Sequence, residues 1–199
     1  PFHLAYDGWR NIAYKDYPYS HDPLGIIEDL QHLDREKLLP LTKNLGNRKS
    51  VIALAGALPI DNYQQLIGIE PFDLWAQKEE AETPLLLKKN WTNINISTDS
   101  RQSLHPETTE QVVIMLGQPT VPHGHSDDLA LRLLSCHLGS GMSSILFSKL
   151  RERYGVAYDV GVYHPIREKE APFVLHASTS EEKSALTLQL LQECWWDAA

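Results

Sequence analysis

The stretch Leu138 to Val160, "LGSGMSSILFSKLRERYGVAYDV", constrains this chain more than any other. It opens on a Gly-Ser turn, continues as a short amphipathic helix, stops at a glycine and resumes as a strand. Ser143 is the expected helix cap, because a serine hydroxyl can accept from the unpaired amides of a first turn. Ile145, Leu146, Lys149 and Leu150 keep helical spacing. Gly155 stands where a left-handed residue ends a helix. The chain must then reverse into "VAYDVGVY". The reversal sets Arg151, on the last helical turn, near the start of the strand that holds Tyr158. A guanidinium and a phenol are both hydrogen-bond donors. Aimed at one place, they could hold a peptide carbonyl or the oxyanion formed when it is attacked. The same residues also have ordinary uses: arginine suits a helix C-terminus and tyrosine suits a strand.

The elements on either side read as an α+β chain. "SVIALAGAL" is a continuous apolar run and suits a buried strand. "LDREKLLPLTKNLG" reads as a helix with Asp34 as N-cap and Pro40 inside it. Asp61 is expected to cap a further helix, "NYQQLIG". The opening residues to Gly25 are aromatic, rich in turn formers and weakly periodic; only their start reads as the tail of a helix. Residues 73–90 cluster charge around Pro84 and read as a connector. Beyond it, "NINIST" and "TEQVVIMLGQ" are strand-like. "HSDDLALRLLSCHL" is an amphipathic helix with Ser126 as cap and Leu129, Leu133, Leu134 and Leu138 on one face. Then come the stretch quoted above, the strand "FVLHASTS" and the helix "EEKSALTLQLLQECWW". Hairpin-paired strands with helices on one side predict a two-layer sandwich of helices on a mixed or antiparallel sheet. The expected division is 1–72 for the closing part of one domain, 73–90 for a connector and 91–199 for a second, incomplete domain.

Composition excludes several functions. The formal net charge is −8 with no Lys/Arg block, so a phosphate-backbone footprint is absent and nucleic acid is a poor partner. No apolar run approaches the roughly 18 residues that span a bilayer. The first residue is Pro, not Met, and the start has no signal-peptide pattern, so the chain reads as a piece of a longer protein whose compartment stays unassigned. Cys136 and Cys194 lie in separate apolar helices and read as buried thiols. His123 and His125, near Asp127 and Asp128, form the densest group of metal-type side chains, but a Pro/Gly loop of this kind reads as solvated. Neither His-Glu-x-x-His nor His-x-x-Glu-His occurs. No Gly-x-Ser-x-Gly elbow is present, and the Gly139-Ser-Gly141 turn lacks the Lys-Ser/Thr ending of a phosphate loop.

The 138–158 stretch closely resembles a signature of the pitrilysin/insulinase zinc metallopeptidases, in the branch of the mitochondrial processing peptidase and its bacterial relatives. The match runs through Leu138, Gly139, Gly141, Met142, Ser143, Ser144, Leu146, Phe147, Leu150, Arg151, Glu152, Gly155, Ala157 and Tyr158, and departs at Ser140, Ile145 and Val156. "YPYSHDPLGIIEDLQHLDREKLLPL", "VIALAGAL" and "TTEQVVIMLGQP" extend the likeness over nearly the whole chain. The resemblance implies a peptide-enclosing chamber made of similar α+β domains. It implies that Arg151 and Tyr158 bind substrate and stabilise the tetrahedral intermediate, and that Gly139 and Gly141 also bind substrate. Zinc would belong to the complete enzyme or a partner subunit, with none bound by this chain. The implied partners are a peptide or unfolded-protein substrate and the other peptidase half, in a homo- or heterodimer. The alternative it leaves open is a non-catalytic partner or scaffold subunit of the same fold.

Overall fold

The computed structural model describes residues 1–15, 17–43, scattered positions between 53 and 65, and 101–198. The expected strand "SVIALAGAL", the helix after Asp61, the connector and the strand "NINIST" fall largely or wholly outside these. Residues 1–23 and 93–199 form one compact unit and residues 24–92 another.

In the smaller unit, α2 (Ile27–Gln31) and α3 (Arg35–Lys43) are short helices. Asp34 caps α3 as expected: its carboxylate accepts the Lys37 amide at 2.8 Å. Pro40 lies inside α3, also as expected.

The larger unit is built on β1 (Val112–Pro119), β2 (Asp159–Tyr163) and β3 (Pro172–Thr179), in spatial order β1-β3-β2 with both pairings antiparallel. The α+β class read from the sequence holds. Val112 faces Thr179 and Asp159 faces Ser178, so the far end of β3 meets both neighbours. β3 is central and covered on both faces, which is why "PFVLHAST" is nearly all buried. Phe173, Leu175 and Ala177 point to a core shared with Leu138, Leu146, Leu150, Leu190, Leu191 and Cys194. These come from α4 (Asp128–Gly139), the helical segment before β2, and α5 (Ser184–Asp197).

Val174 points the other way, into an aromatic cluster with Trp9, Tyr14 and Tyr17. This second cover is α1, a full helix over Phe2–Tyr14. The segment, grouped above with residues 1–72, packs on this sheet. Phe2, Tyr6 and Trp9 recur at helical spacing. Tyr6 meets Tyr163 at 4.8 Å between ring centroids, and the Trp9 indole donates to the Gly117 carbonyl at 3.3 Å. Tyr14 donates to the Glu170 carbonyl at 2.9 Å. Burial pushes the Tyr6 phenol up to about 12, so it stays a neutral donor throughout the physiological range.

Three expectations for α4 and the cysteines are corrected. The N-cap is Asp127, not Ser126, and no side chain caps it. Leu138 is buried, but Leu129 and Leu133 are 67% and 65% exposed; the face that meets the core runs through Leu131, Leu134 and Leu138 instead. Cys194, in α5, is a buried thiol, whereas Cys136, in α4, is exposed.

Candidate active-site turn

α4 ends against β2. A methyl group on Gly139 would stand 2.5 Å from the Val162 nitrogen and 3.0 Å from the Gly161 carbonyl carbon. A glycine here is therefore needed for the close approach of helix and strand. Gly141 is different: nothing lies within 4 Å of a methyl at that position, but its φ of +79° is the left-handed conformation that glycine adopts without strain.

The helix then begins at Ile145, and Ser144 rather than Ser143 stands at its start. Its hydroxyl accepts the Phe147 amide at 3.4 Å, and it is buried where Ser143 is exposed. Leu146 and Leu150 are fully buried and anchor the helix to the core. Residues Phe147–Arg153 form a π-helix, in which amides reach back five residues instead of four. The Tyr154 amide bonds to the Lys149 carbonyl at 3.1 Å, and the Val156 amide bonds to the Leu150 carbonyl at 2.9 Å. Gly155, with φ +58°, makes the reversal as the sequence indicated. Lys149 ties the helix to α5 through Glu193 at 3.0 Å and Asp197 at 3.7 Å.

Arg151 and Tyr158 end up on the two arms of this turn, Arg151 in the π-helix and Tyr158 just before β2. Both are exposed; Tyr158 retains 65% of its accessible surface. The Arg151 guanidinium lies over the Phe147 ring at 4.9 Å. Among the described residues neither side chain has a hydrogen-bond partner, and no bond joins the two. The donors are thus held by backbone and stacking and left open to an acceptor from outside. Gly139 and Gly141 belong to the same loop system, the first as a packing contact and the second as a backbone turn.

The phenol and the guanidinium were legible in the sequence. The contacts that hold their backbone were not. The Tyr158 amide donates to the Ser178 carbonyl at 2.8 Å, and Lys183 Nζ donates to the Gly155 carbonyl at 2.9 Å. Thr179 Oγ1 donates to the Val156 carbonyl at 2.5 Å. The available signal was Thr179 itself, a hydroxyl residue on the same side of β3 as Phe173, Leu175 and Ala177.

The histidine cluster has its own structure. Asp128 accepts the Gly124 amide at 3.1 Å, His123 Nδ1 at 2.8 Å and Arg132 Nε at 2.9 Å. The Gly124 amide bond is the main influence that lowers its carboxyl to about 2, against an opposing effect of burial, with His123 and Arg132 adding to the shift. Both carboxylate oxygens are engaged, Oδ2 by the loop and Oδ1 by Arg132 of α4. Among the described residues no group of three or more His, Cys, Asp or Glu is arranged to hold a metal ion. The donors of this loop do not fit zinc. A cavity of about 440 Å³ lies between α1 and the end of β2, lined in part by Arg10. That guanidinium is already paired with Asp7 at 2.9 Å and approaches Asp22 at 3.9 Å.

The chain as a whole has relatives among known proteins. The family described as the peptidase M16 inactive domain matches residues 41–198. The chain belongs to the peptidase M16 inactive-domain family. It is thereby a member of the pitrilysin/insulinase family, as the 138–158 signature implied. This M16 chain is 27% identical over 194 residues to an uncharacterized zinc protease of Rickettsia felis, covering 96% of the chain and 44% of that relative. It is 25% identical over 164 residues to an uncharacterized zinc protease of Streptomyces coelicolor, covering 82% of the chain and 35% of the relative. Two solved structures share the fold at 22% identity. The crystal structure of a peptidase M16 inactive domain from Pseudomonas fluorescens superposes with a TM-score of 0.72 over 99% of this chain and 46% of that one. A protease from Helicobacter pylori superposes with 0.75 over 97% and 47%. The M16 chain spans less than half the length of each of these relatives. Among its described residues no helix is long and apolar enough to cross a membrane.

Proposed function

We propose that this M16 domain supplies the substrate-facing side of a split peptidase site, of the processing-peptidase type. Arg151 and Tyr158 hydrogen-bond the carbonyl of the scissile peptide and strengthen those bonds as it becomes an oxyanion. Gly139 and Gly141 shape the turn against which the peptide backbone lies. The other peptidase half is the partner, and the zinc named for the relatives is held in the complete protein outside these residues. The observation that carries this reading is the pair of exposed donors, without a hydrogen-bond partner among the described residues, on the two arms of one tightly held turn.

Donors preset toward a developing oxyanion are worth about 2.7–4 kcal/mol each in comparable sites. In the complete peptidase, Arg151→Ala and Tyr158→Phe should each lower kcat/KM at least tenfold (about 1.4 kcal/mol), with the melting temperature unchanged. Wild-type turnover in both variants would exclude the role. The 199 residues alone should hydrolyse no peptide, with or without added zinc.

A further inference from the structure

We infer that Thr179 and Thr187 are positioning residues for Tyr158, acting on the reaction through the turn they hold. The inference rests on the role proposed above for Arg151 and Tyr158.

Both threonines are completely buried, Thr179 at the end of β3 and Thr187 in the first turn of α5. At either site a valine would fill nearly the same volume with no polar group to satisfy, so the hydroxyls need a reason. Thr179 has one. The residue it serves, Val156, is buried in the turn, so its carbonyl needs a donor from the protein. Thr179 Oγ1 gives it one at 2.5 Å. Thr187 Oγ1 stands 3.2 Å behind Thr179 Oγ1 and 2.8 Å from the Lys183 carbonyl, so its single proton serves one or the other. The pair thus runs from the start of α5, through the end of β3, to the turn.

Two neighbours complete the grip. Lys183 Nζ holds the Gly155 carbonyl at 2.9 Å, and the Ser178 carbonyl holds the Tyr158 amide at 2.8 Å. The carbonyls of residues 155 and 156 and the amide of residue 158 are therefore all bound by one short junction, Ser178 to Lys183. The Tyr158 ring is exposed, and among the described residues its hydroxyl has no hydrogen bond. Its position is inherited from its backbone, and that backbone is set by this junction. Misplacing a reacting group by about 1 Å can cost on the order of a hundredfold in rate. A hydroxyl bonded to the backbone two residues before Tyr158 is thus able to act on turnover without touching substrate.

The test uses the complete peptidase with Thr179→Val, Thr179→Ser and Thr187→Val, beside Tyr158→Phe. Thr179→Val should lower kcat at least about tenfold with KM within about twofold, since it misplaces a donor used mainly in the transition state. Thr179→Ser, which keeps the hydroxyl, should restore kcat to within about threefold of wild type. On the Tyr158→Phe background, Thr179→Val should cost little more, because both act through one phenol. Wild-type kcat in Thr179→Val, with Tyr158→Phe impaired, overturns the inference and leaves the site intact. Wild-type turnover in Tyr158→Phe and Arg151→Ala instead removes the reading on which it rests. If Thr179→Val does not assemble, Thr187→Val decides: a fall in kcat of about threefold or more supports the relay, and an unchanged kcat with a lowered melting temperature reduces it to packing.

Discussion

The Val156 amide bonds to the Leu150 carbonyl at 2.9 Å, six residues back along the chain. In an ordinary glycine-terminated helix the residue after the glycine reaches back five. The extra residue is the π-turn that precedes it, and it sets Arg151 in the widened segment of the helix. The turn is closed by Gly155 on the left-handed side of φ.

Gly155→Ala tests that closure. A side chain in the left-handed region costs about 1–2 kcal/mol, and nothing within 4 Å would add a clash. Urea unfolding should show a loss of that size, and Gly155→Asn should lose less, because asparagine tolerates this conformation better.

Gly139→Ala acts differently. The added methyl would stand 2.5 Å from the Val162 nitrogen, so α4 and β2 must separate. Overpacking of this kind costs about 1–3 kcal/mol. The expected result is a lowered unfolding midpoint together with amide exchange that rises first in β2.

Trp9→Ala removes a buried ring and its bond to the Gly117 carbonyl. The loss should be about 3–5 kcal/mol, enough to unfold a large share of molecules in mild denaturant. A change under about 1 kcal/mol would mean that α1 contributes little to the sheet it covers.

His176 gives a pH dependence. It lies on β3 with Phe2 at 5.0 Å between ring centroids and Asp159 at 3.6 Å. Burial pushes its pKa below 6.5, and Asp159 opposes this only in part. The folded protein holds this imidazole neutral, while the unfolded chain takes up a proton as pH falls below about 6.5. Stability should therefore fall as pH drops from 6.5 toward the lowered folded value, and level off below it. His176→Gln should flatten that part of the curve in melts between about pH 7.5 and 5. An unchanged slope would assign it to other groups.

Much of this was legible in the sequence. Period-two and continuous apolar runs gave β1, β2 and β3, and the spacing of Leu146, Leu150 and Gly155 gave the helix and its stop. The Asp34 cap was legible because its hydrogen bond is local. What escaped depends on partners distant in sequence. α1 hides behind Asp7-Gly8 and Asn11, which read as turn residues, and its aromatic stripe makes sense only against a sheet more than a hundred residues away. Leu129 and Leu133 fit the leucine face of α4, but the orientation of that helix on the sheet turns them outward. The π-turn has no sequence rule of its own. Thr179 and Thr187 look like ordinary strand and helix residues until their hydroxyls are seen facing each other.

The grip of α1 on the sheet has a practical consequence. Residues 1–23 are joined to β1 by a long intervening segment, yet they are held there by the Trp9 and Tyr14 bonds and by edge-to-face aromatic contacts. A protease nick anywhere between residues 24 and 111 would leave two pieces that still copurify. The same cut made genetically should give two polypeptides that find each other when coexpressed. The piece beginning near residue 101 and made alone would present a greasy sheet face to chaperones.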